Sequence, residues 1–167
     1  MNPAVYGSLP WACSLGTAGS SGDDRITRLI YDAASQLTLE QRAYQSSIAE
    51  NYATYTYTNN GKQASVYDAL GTTHKTQYAY DGFDRLKTTT FPGSSTEVLT
   101  YDNDSNVLTR KNRAGQTLTY TYDNLDRLRT KAVPAVGSIP ANTVTWTYDL
   151  ASEPTSSSNA PEGDGVR

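Results

Sequence analysis

The sequence has very few of the residues from which disulfides, metal sites and nucleophilic catalytic sites are built. Cys13 is the only cysteine and His74 the only histidine among 167 residues. A single cysteine cannot form an internal disulfide, so it does not indicate a redox compartment. One histidine and one distant cysteine predict neither a zinc site nor a Cys–His pair, and we expect His74 to be a surface residue on a strand. The sequence therefore predicts no cofactor, no metal and no enzyme activity.

Long apolar runs and a strong net charge are also missing. The uncharged runs are too short and too polar to span a bilayer, so no membrane insertion is expected. A net charge of -3 and a pI near 5.1 provide no general attraction for nucleic acid or anionic membrane. Residues 1–24, rich in Gly, Ser, Ala and Pro, lack the basic start and apolar core of a signal peptide, and we expect them to be a flexible leader.

Tyrosine is abundant where other large apolar residues are scarce. Thirteen tyrosines stand against two phenylalanines, so the apolar face of the fold would carry polar edges. This composition fits a sheet whose inner face is only partly dry. A compact single domain of this length would instead bury about 70% of its unfolded surface.

The clearest local pattern is the segment 117–128, TLTYTYDNLDRL. Threonine alternates with Leu or Tyr over six residues, which predicts a half-buried strand. Asp123 suits the first position of a type I turn, and Asp126 the left-handed position of a three-residue hairpin loop. In that register Asp123 would lie opposite Arg127 and Tyr122 opposite Leu128. One short segment thus predicts two strands, their turn and their register.

The same pattern recurs along the chain. Its tyrosines stand at positions 31, 57, 80, 101, 122 and 148, which are separated by 26, 23, 21, 21 and 26 residues. A basic unit of 21 residues with occasional insertions indicates a repeat array. The residues assigned to the motif, with a structural role, are Tyr31, Asp32, Tyr57, Gly61, Tyr80, Asp81, Arg85, Leu86, Tyr101, Asp102, Tyr122, Asp123, Arg127, Leu128, Tyr148 and Asp149.

A second turn signal lies between successive copies, near the middle of each period. Examples are the segments 68–71, 91–95 and 112–115, each with a glycine. Each unit therefore reads as strand, tyrosine turn, strand, second turn. The pattern predicts an all-β antiparallel meander of about ten or eleven short strands between Arg25 and Tyr148, with almost no helix.

Three groups of residues allow a functional alternative to this structural interpretation. The repeated aspartates could be paired acids or calcium ligands, although each is explained by its own turn. A basic cluster could bind phosphate or glycans, or could simply keep the sheet soluble. A stripe of tyrosines could stack on sugars, or could form cross-strand ladders on the inner face. The basic cluster comprises Arg110, Lys111, Arg113, Arg127, Arg129 and Lys131, and the stripe comprises Tyr78, Tyr80, Tyr101, Tyr120 and Tyr122.

The motif Tyr-Asp-x-x-Gly-Arg-Leu, at this spacing and between Thr/Tyr strands, resembles the YD repeat, also called the Rhs repeat. The resemblance covers residues 25–149. Such repeats occur in bacterial Rhs polymorphic toxins, the C component of insecticidal toxin complexes, wall-associated proteins and animal teneurins. In the toxins they form a hollow sheet around a toxic domain, so the resemblance implies a structural role. Gly61 keeps the glycine of the motif, whereas the other copies have Asp or Ser there.

Composition and the repeat pattern divide the chain into three parts: a flexible leader at 1–24, the hairpin array at 25–149 and a disordered tail at 150–167. The resemblance implies a fragment or short relative of a toxin-encapsulating or cell-surface shell, secreted or surface-displayed. The alternative is a carbohydrate-binding surface module that uses exposed tyrosines. Expected partners are neighbouring repeats, an encapsulated toxin domain or glycans. The segment 143–148 is predicted to be an uncovered edge strand, so self-association through edge strands is also expected.

Overall fold

The computed structural model describes residues 26–44, 46–149 and 154–161 of the chain. Almost every described residue is in a strand or a tight turn, and the one helical element is a 3-10 turn, η1, at Thr72–His74. The strands are β1 (Arg28–Tyr31), β2 (Leu37–Arg42), β3 (Glu50–Tyr57), β4 (Gln63–Asp68), β5 (Thr76–Tyr80), β6 (Leu86–Thr90), β7 (Thr96–Tyr101), β8 (Val107–Lys111), β9 (Thr117–Tyr122), β10 (Leu128–Val133), β11 (Asn142–Tyr148) and β12 (Pro154–Pro161). Neighbours in the sheet are consecutive in the chain and pair antiparallel, as β1 does with β2, β9 with β10 and β10 with β11. The predicted all-β meander, with eleven strands up to Tyr148, is confirmed.

The contacts divide the chain into two units, residues 1–53 and 54–167. In the first unit β1 pairs with β2, with a bulge between Ile30 and Tyr31. The guanidinium of Arg42 lies 3.0 Å from the ring centroid of Tyr52 and 3.0 Å from a carboxylate oxygen of Glu40. Glu40 and Arg42 both belong to β2.

The second unit repeats one hairpin geometry at four tyrosines of the described residues. Tyr80, Tyr101, Tyr122 and Tyr148 pair with the residue that follows the turn, and the register then shifts by one. Tyr122 lies opposite Leu128, as the sequence predicted. Such a bulge places an extra residue on the second strand and increases the local twist. A register fixed at each tyrosine turn keeps the same side chains on the same face in every repeat.

The alternation gives the second unit two chemically different faces. Direct partners in the ladders share a face, and their registers place threonines on one side and aromatic or aliphatic residues on the other. The Thr face contains Thr88, Thr90, Val98, Thr100, Thr109, Thr119, Thr121, Thr130, Thr143, Thr145 and Thr147. The Tyr/Leu face contains Tyr78, Tyr80, Leu86, Leu99, Tyr101, Val107, Leu118, Tyr120, Tyr122, Leu128, Val144, Trp146 and Tyr148.

Neither face forms a dry core among the described residues. Only Ala53 and Ser65 are buried, at 7% and 1% exposure, and nearly all other strand residues are half-buried or exposed. Ser65 satisfies its hydroxyl with Thr56, at 2.7 Å between the oxygens. The described residues therefore lack the dry interior that is typical of a compact single domain. A single layer of sheet has no second layer to pack against, so its faces remain partly wet.

The structure corrects the prediction for the end of the array. Pro154–Pro161 forms β12, which pairs along the whole of β11, so the predicted uncovered edge at 143–148 is wrong. Pro154 stands at the first position of β12, where a missing N–H is tolerated. The other parts of the predicted tail, residues 150–153 and 162–167, and the predicted leader, residues 1–24, lie outside the described residues.

Candidate functional site

The tyrosine turns are built on one aspartate each. At Asp123, one carboxylate oxygen accepts the N–H groups of Leu125 and Arg127, at 2.9 and 3.0 Å. The backbone closes the loop with two further bonds, from Asp123 N–H to the Arg127 carbonyl and from Asp126 N–H to the Asp123 carbonyl, both at 3.0 Å. Asp126 has the predicted left-handed conformation, with φ 59°. The carboxylate thus takes the two N–H groups that the turn would leave unpaired.

Three other copies have the same geometry. Asp32, Asp81 and Asp102 each accept the N–H groups two and four residues ahead, at 2.8 to 3.0 Å. The left-handed residues in these copies are Ser35, Asp84 and Ser105. In the copy at Tyr57, the Thr58 hydroxyl accepts the Lys62 N–H instead, and Gly61 takes the left-handed position. The copy without the aspartate therefore keeps the hydrogen bond to the N–H four residues ahead and the left-handed fifth residue.

These bonds lower the pKa of three aspartates. For Asp123 the guanidinium of Arg127 is the main cause, and it outweighs the partial loss of hydration that would raise the pKa. For Asp81, partial burial pulls the pKa upward, but hydrogen bonds from Arg85 and Phe83 lower it by more. At Asp102, burial again acts upward and is outweighed by bonds from Asn106 and Asp104. All three are carboxylates near neutral pH, as acceptors of N–H groups must be.

Four tyrosines of the motif also bind the repeat before them. The hydroxyl of Tyr101 donates to the Leu86 carbonyl at 2.7 Å, and that of Tyr122 to the Val107 carbonyl at 3.0 Å. Tyr80 and Tyr148 make the equivalent bonds at 2.8 and 2.7 Å. The acceptor is always the seventh residue of the preceding copy. Burial is the main cause of the raised pKa values of Tyr80, Tyr101 and Tyr122.

The arginine at the sixth position of the motif binds the repeat that follows. The Arg85 guanidinium contacts its own Asp81 at 2.8 Å and donates to the Asp102 carbonyl at 2.8 Å, above the ring of Tyr101. Arg127 repeats this arrangement with Asp123, the Asp149 carbonyl and the ring of Tyr148. Consecutive tyrosine turns are thereby joined in a row along one edge of the second unit.

Asparagines continue this row where arginine is missing, and the sequence did not reveal them. The Asn106 amide donates to its own Asp102 at 3.1 Å and to Asp126 of the next turn at 2.8 Å. The Asn60 amide reaches Asp84 at 3.0 Å. Asn106 stands at the arginine position of its copy, so aligning the copies would have identified it. Asn60 stands two residues earlier, and no alignment of the copies predicts its contact.

The residues of the predicted basic cluster lie in different parts of the second unit. Of the basic cluster, Arg110 and Lys131 lie on the Tyr/Leu face, opposite Leu99 and Tyr120. Lys111 lies on the Thr face, and Arg127 is held in its turn by Asp123. Arg113 belongs to a second turn, where it contacts Ser95 and the ring of Phe91 in the turn before. These cations therefore do not form a single patch.

The tyrosine stripe is on one face, but it forms no tyrosine ladder. Tyr78, Tyr120 and Tyr122 face Thr89, Lys131 and Leu128 across the ladders. His74 lies in η1 rather than on a strand, 3.7 Å from a carboxylate oxygen of Asp68. Within the described residues no three His, Cys, Asp or Glu side chains are grouped so that they could hold a metal ion. That part of the chain also contains no helix long and apolar enough to cross a membrane.

Comparison with known proteins agrees with this geometry. The RHS Repeat family model matches residues 57–96 and 101–139. No curated protein gave a significant match.

Among solved structures, the chain is similar to the TcdB2-TccC3-Cdc42 crystal structure, with 22% identity, a TM-score of 0.66, and coverage of 84% of this chain and 8% of that one. It is equally similar to the Photorhabdus luminescens Tc holotoxin pore with the TccC3-D651A mutation, with 22% identity, a TM-score of 0.66, and coverage of 87% and 8%. The chain thus spans less than a tenth of the length of the structures that it matches, and at this identity the likeness shows the fold. The two matched stretches contain four of the six tyrosine turns, and the repeats within them are RHS repeats, the YD repeats predicted from the sequence.

Proposed function

We propose that this chain is a structural wall module, a strip of the kind of sheet from which Rhs-type shells are built. The observation that carries the proposal is the row of side chains shared between consecutive tyrosine turns. Tyr101 and Tyr122 bind the copy before them, and Arg85 and Asn106 bind the copy after them. Consecutive repeats therefore share hydrogen bonds, so the repeats support one another in a line.

The lack of a dry core supports the same role. A repeat array gains stability from contacts between neighbours and does not need a central core. Its two faces then remain available, one polar and rich in threonine, the other aromatic and aliphatic. A single layer with two different faces suits a wall that separates an enclosed volume from the outside. No step of this role requires catalysis.

An insertion of one repeat tests the wall module directly. A second copy of residues 101–121 would be placed between Thr121 and Tyr122, which preserves the 21-residue period. We expect two further strands, a larger β signal in circular dichroism and a higher midpoint of urea unfolding. The control carries the same 21 residues in scrambled order. If the ordered insertion is cut by protease as readily as the scrambled one, the repeats do not propagate and the proposal is wrong.

An enclosed toxin domain is the cargo that the family resemblance suggests for such a wall. We propose that this chain is part of a longer protein with that organisation, secreted or displayed at the cell surface. The experiment is to read the coding sequence on both sides of the segment. Further Rhs repeats followed by a toxin domain would support the proposal, and a natural stop codon directly after Arg167 would contradict it.

Carbohydrate binding is the competing function, and the tyrosine hydroxyls weigh against it. Four motif tyrosines use their hydroxyls on backbone carbonyls. Tyr31 and Tyr52, at 54% and 40% exposure, are the rings best able to stack on a sugar. A glycan array probed with the wild type and with Tyr31→Ala/Tyr52→Ala would decide. Binding that the double variant loses would favour the surface module over the wall.

A further inference from the structure

We propose that the Tyr/Leu face carries a docking patch for extended peptide segments that present a bulky apolar side chain next to a carboxylate. The patch lies across β6 to β9 and is called here the Leu99 patch. Its floor is Leu86, Leu99, Val107 and Tyr120, and Lys87 and Arg110 stand at its rim with Glu97. This role is additional to that of a wall, because a wall needs no specific recognition on its faces.

The Leu99 patch is concave because of the direction of the Arg110 side chain. Arg110 is directly opposite Leu99 on one side and Leu118 on the other. Its guanidinium does not cover Leu99, because it leans diagonally to Glu97, two residues before Leu99 on the same strand, at 3.2 Å. Leu99 is therefore left as an apolar floor between polar rims, half-buried, and β6 and β8 are the only described strands that contact its strand.

The charge of the rim selects the occupant. Two cations stand beside one anion, on a chain whose net charge is -3. Glu97 occupies one side of Arg110, whose side chain is still 51% exposed. Lys87 has no ion-pair partner among the residues that the structure describes. A carboxylate that enters the patch would meet both cations, whereas an ammonium group would be repelled.

The shape of the patch selects a polypeptide in extended form. Four neighbouring strands span about 14 Å, which is the length of about four extended residues. The backbone groups of β7 and β8 are already paired on both sides, so a partner cannot add as a strand and must dock through side chains. A bulky apolar side chain over Leu99 and an adjacent carboxylate near Lys87 and Arg110 would use both features of the patch.

Two labelled peptides test the proposal, acetyl-Gly-Asp-Leu-Phe-Gly-amide and the same peptide with Lys in place of Asp. Affinities would be measured by fluorescence anisotropy and the site mapped by NMR shifts of the full chain. The Asp peptide should bind at least about tenfold more tightly than the Lys peptide at low salt, with shifts confined to the strands of the Leu99 patch. Equal affinities, or no binding of either peptide at millimolar concentration, would overturn the proposal.

Matched variants on one strand separate the two faces. Leu99→Ser should weaken the Asp peptide at least about tenfold, while Val98→Ser, its neighbour on the Thr face, should leave the affinity unchanged. Because Leu99→Ser could disturb the sheet, Lys87→Gln/Arg110→Gln provides a second test at exposed positions. That variant should remove the preference for Asp over Lys. Equal losses in the Leu99 and Val98 variants, or a preference that survives the double Gln variant, would contradict the proposed patch.

Discussion

At the scale of single residues, the tyrosine of the motif has two roles that its neighbours in the strand lack. Tyr122 packs on the Tyr/Leu face and also donates its hydroxyl to the Val107 carbonyl at 3.0 Å. Tyr120, two residues earlier on the same face, has a half-buried ring, and no hydroxyl bond is found for it within the described residues. The motif therefore requires Tyr at one position where Phe would serve at the other.

This difference predicts unequal effects of removing one oxygen atom. Tyr122→Phe should lower the free energy of unfolding by about 1 kcal/mol, because the carbonyl of Val107 loses a partner in a partly buried site. Tyr120→Phe should be neutral. Urea denaturation of both variants makes the measurement. Equal effects at the two positions would mean that the hydroxyl bond contributes nothing.

The aspartates of the turns predict how stability depends on pH. The pKa values of Asp81, Asp102 and Asp123 lie below their ordinary value of 3.8 in the folded chain. Near pH 4 the folded state therefore binds fewer protons than the unfolded state at these groups. Their contribution to stability is complete above that pH and is lost as the pH falls through the folded pKa values.

The measurement is the midpoint of urea unfolding at pH 7, 4 and 3. The wild type should lose stability between pH 4 and pH 3. Asp81→Asn/Asp102→Asn/Asp123→Asn should start less stable at pH 7, because arginine loses its ionic partner, and should lose less on acidification. If the stability of the two proteins falls equally with pH, the acid sensitivity does not arise from these three aspartates.

At the scale of elements, three of the tyrosine turns are joined to the next turn by one polar side chain at the sixth position of the motif. Arg85, Asn106 and Arg127 each hold their own aspartate and reach the following turn. Arginine and asparagine differ in length, and they choose different acceptors. Arg85 and Arg127 reach backbone carbonyls, while Asn106 reaches the Asp126 side chain. The linkage is thus a property of position more than of residue type.

A double-mutant cycle tests this linkage. Asn106→Ala and Asp126→Ala should be non-additive, with a coupling of about 0.5 kcal/mol or more, because each removes the same hydrogen bond. The control cycle pairs Asn106→Ala with Asp104→Ala, whose carboxylate makes no bond to Asn106, and should be additive. Free energies of unfolding supply all of the values. Additivity in both cycles would show that neighbouring hairpins are energetically independent.

At the scale of the whole molecule, β12 changes what the end of the array can do. β11 has an apolar and threonine-rich sequence without charge, a composition that promotes strand pairing. β12 covers it from Asn142 to Tyr148. Since β12 begins and ends with proline, its own edge is a poor template for another strand.

Removal of β12 should therefore restore the self-association expected for an open edge. A chain without residues 154–167 should sediment as larger species with increasing concentration, and Val144→Lys in that chain should relieve the effect. The full chain should associate less at the same concentration. Slow exchange of the 143–148 amides in the full chain would agree with the cover, and fast exchange there would contradict it.

The sequence by itself determined the repeat, the turns and the register. Alternation of threonine with tyrosine decides which side chains share a face, and Asp123 and Asp126 specify a turn through local bonds, so both can be read within a dozen residues. The motif at these turns also resembles the RHS repeat, whose family model matches two stretches of the chain. Contacts between repeats were not predictable, because they join residues 15 to 24 positions apart and depend on which side chains the twisted sheet brings within reach.

Only the tertiary structure decided that Asn106 and Asn60 link the turns, that the basic residues are divided between faces, and that Pro154–Pro161 continues the sheet. The composition of this segment predicted a disordered tail. A β-ladder, however, is formed by backbone groups, which serine and asparagine supply as well as valine does.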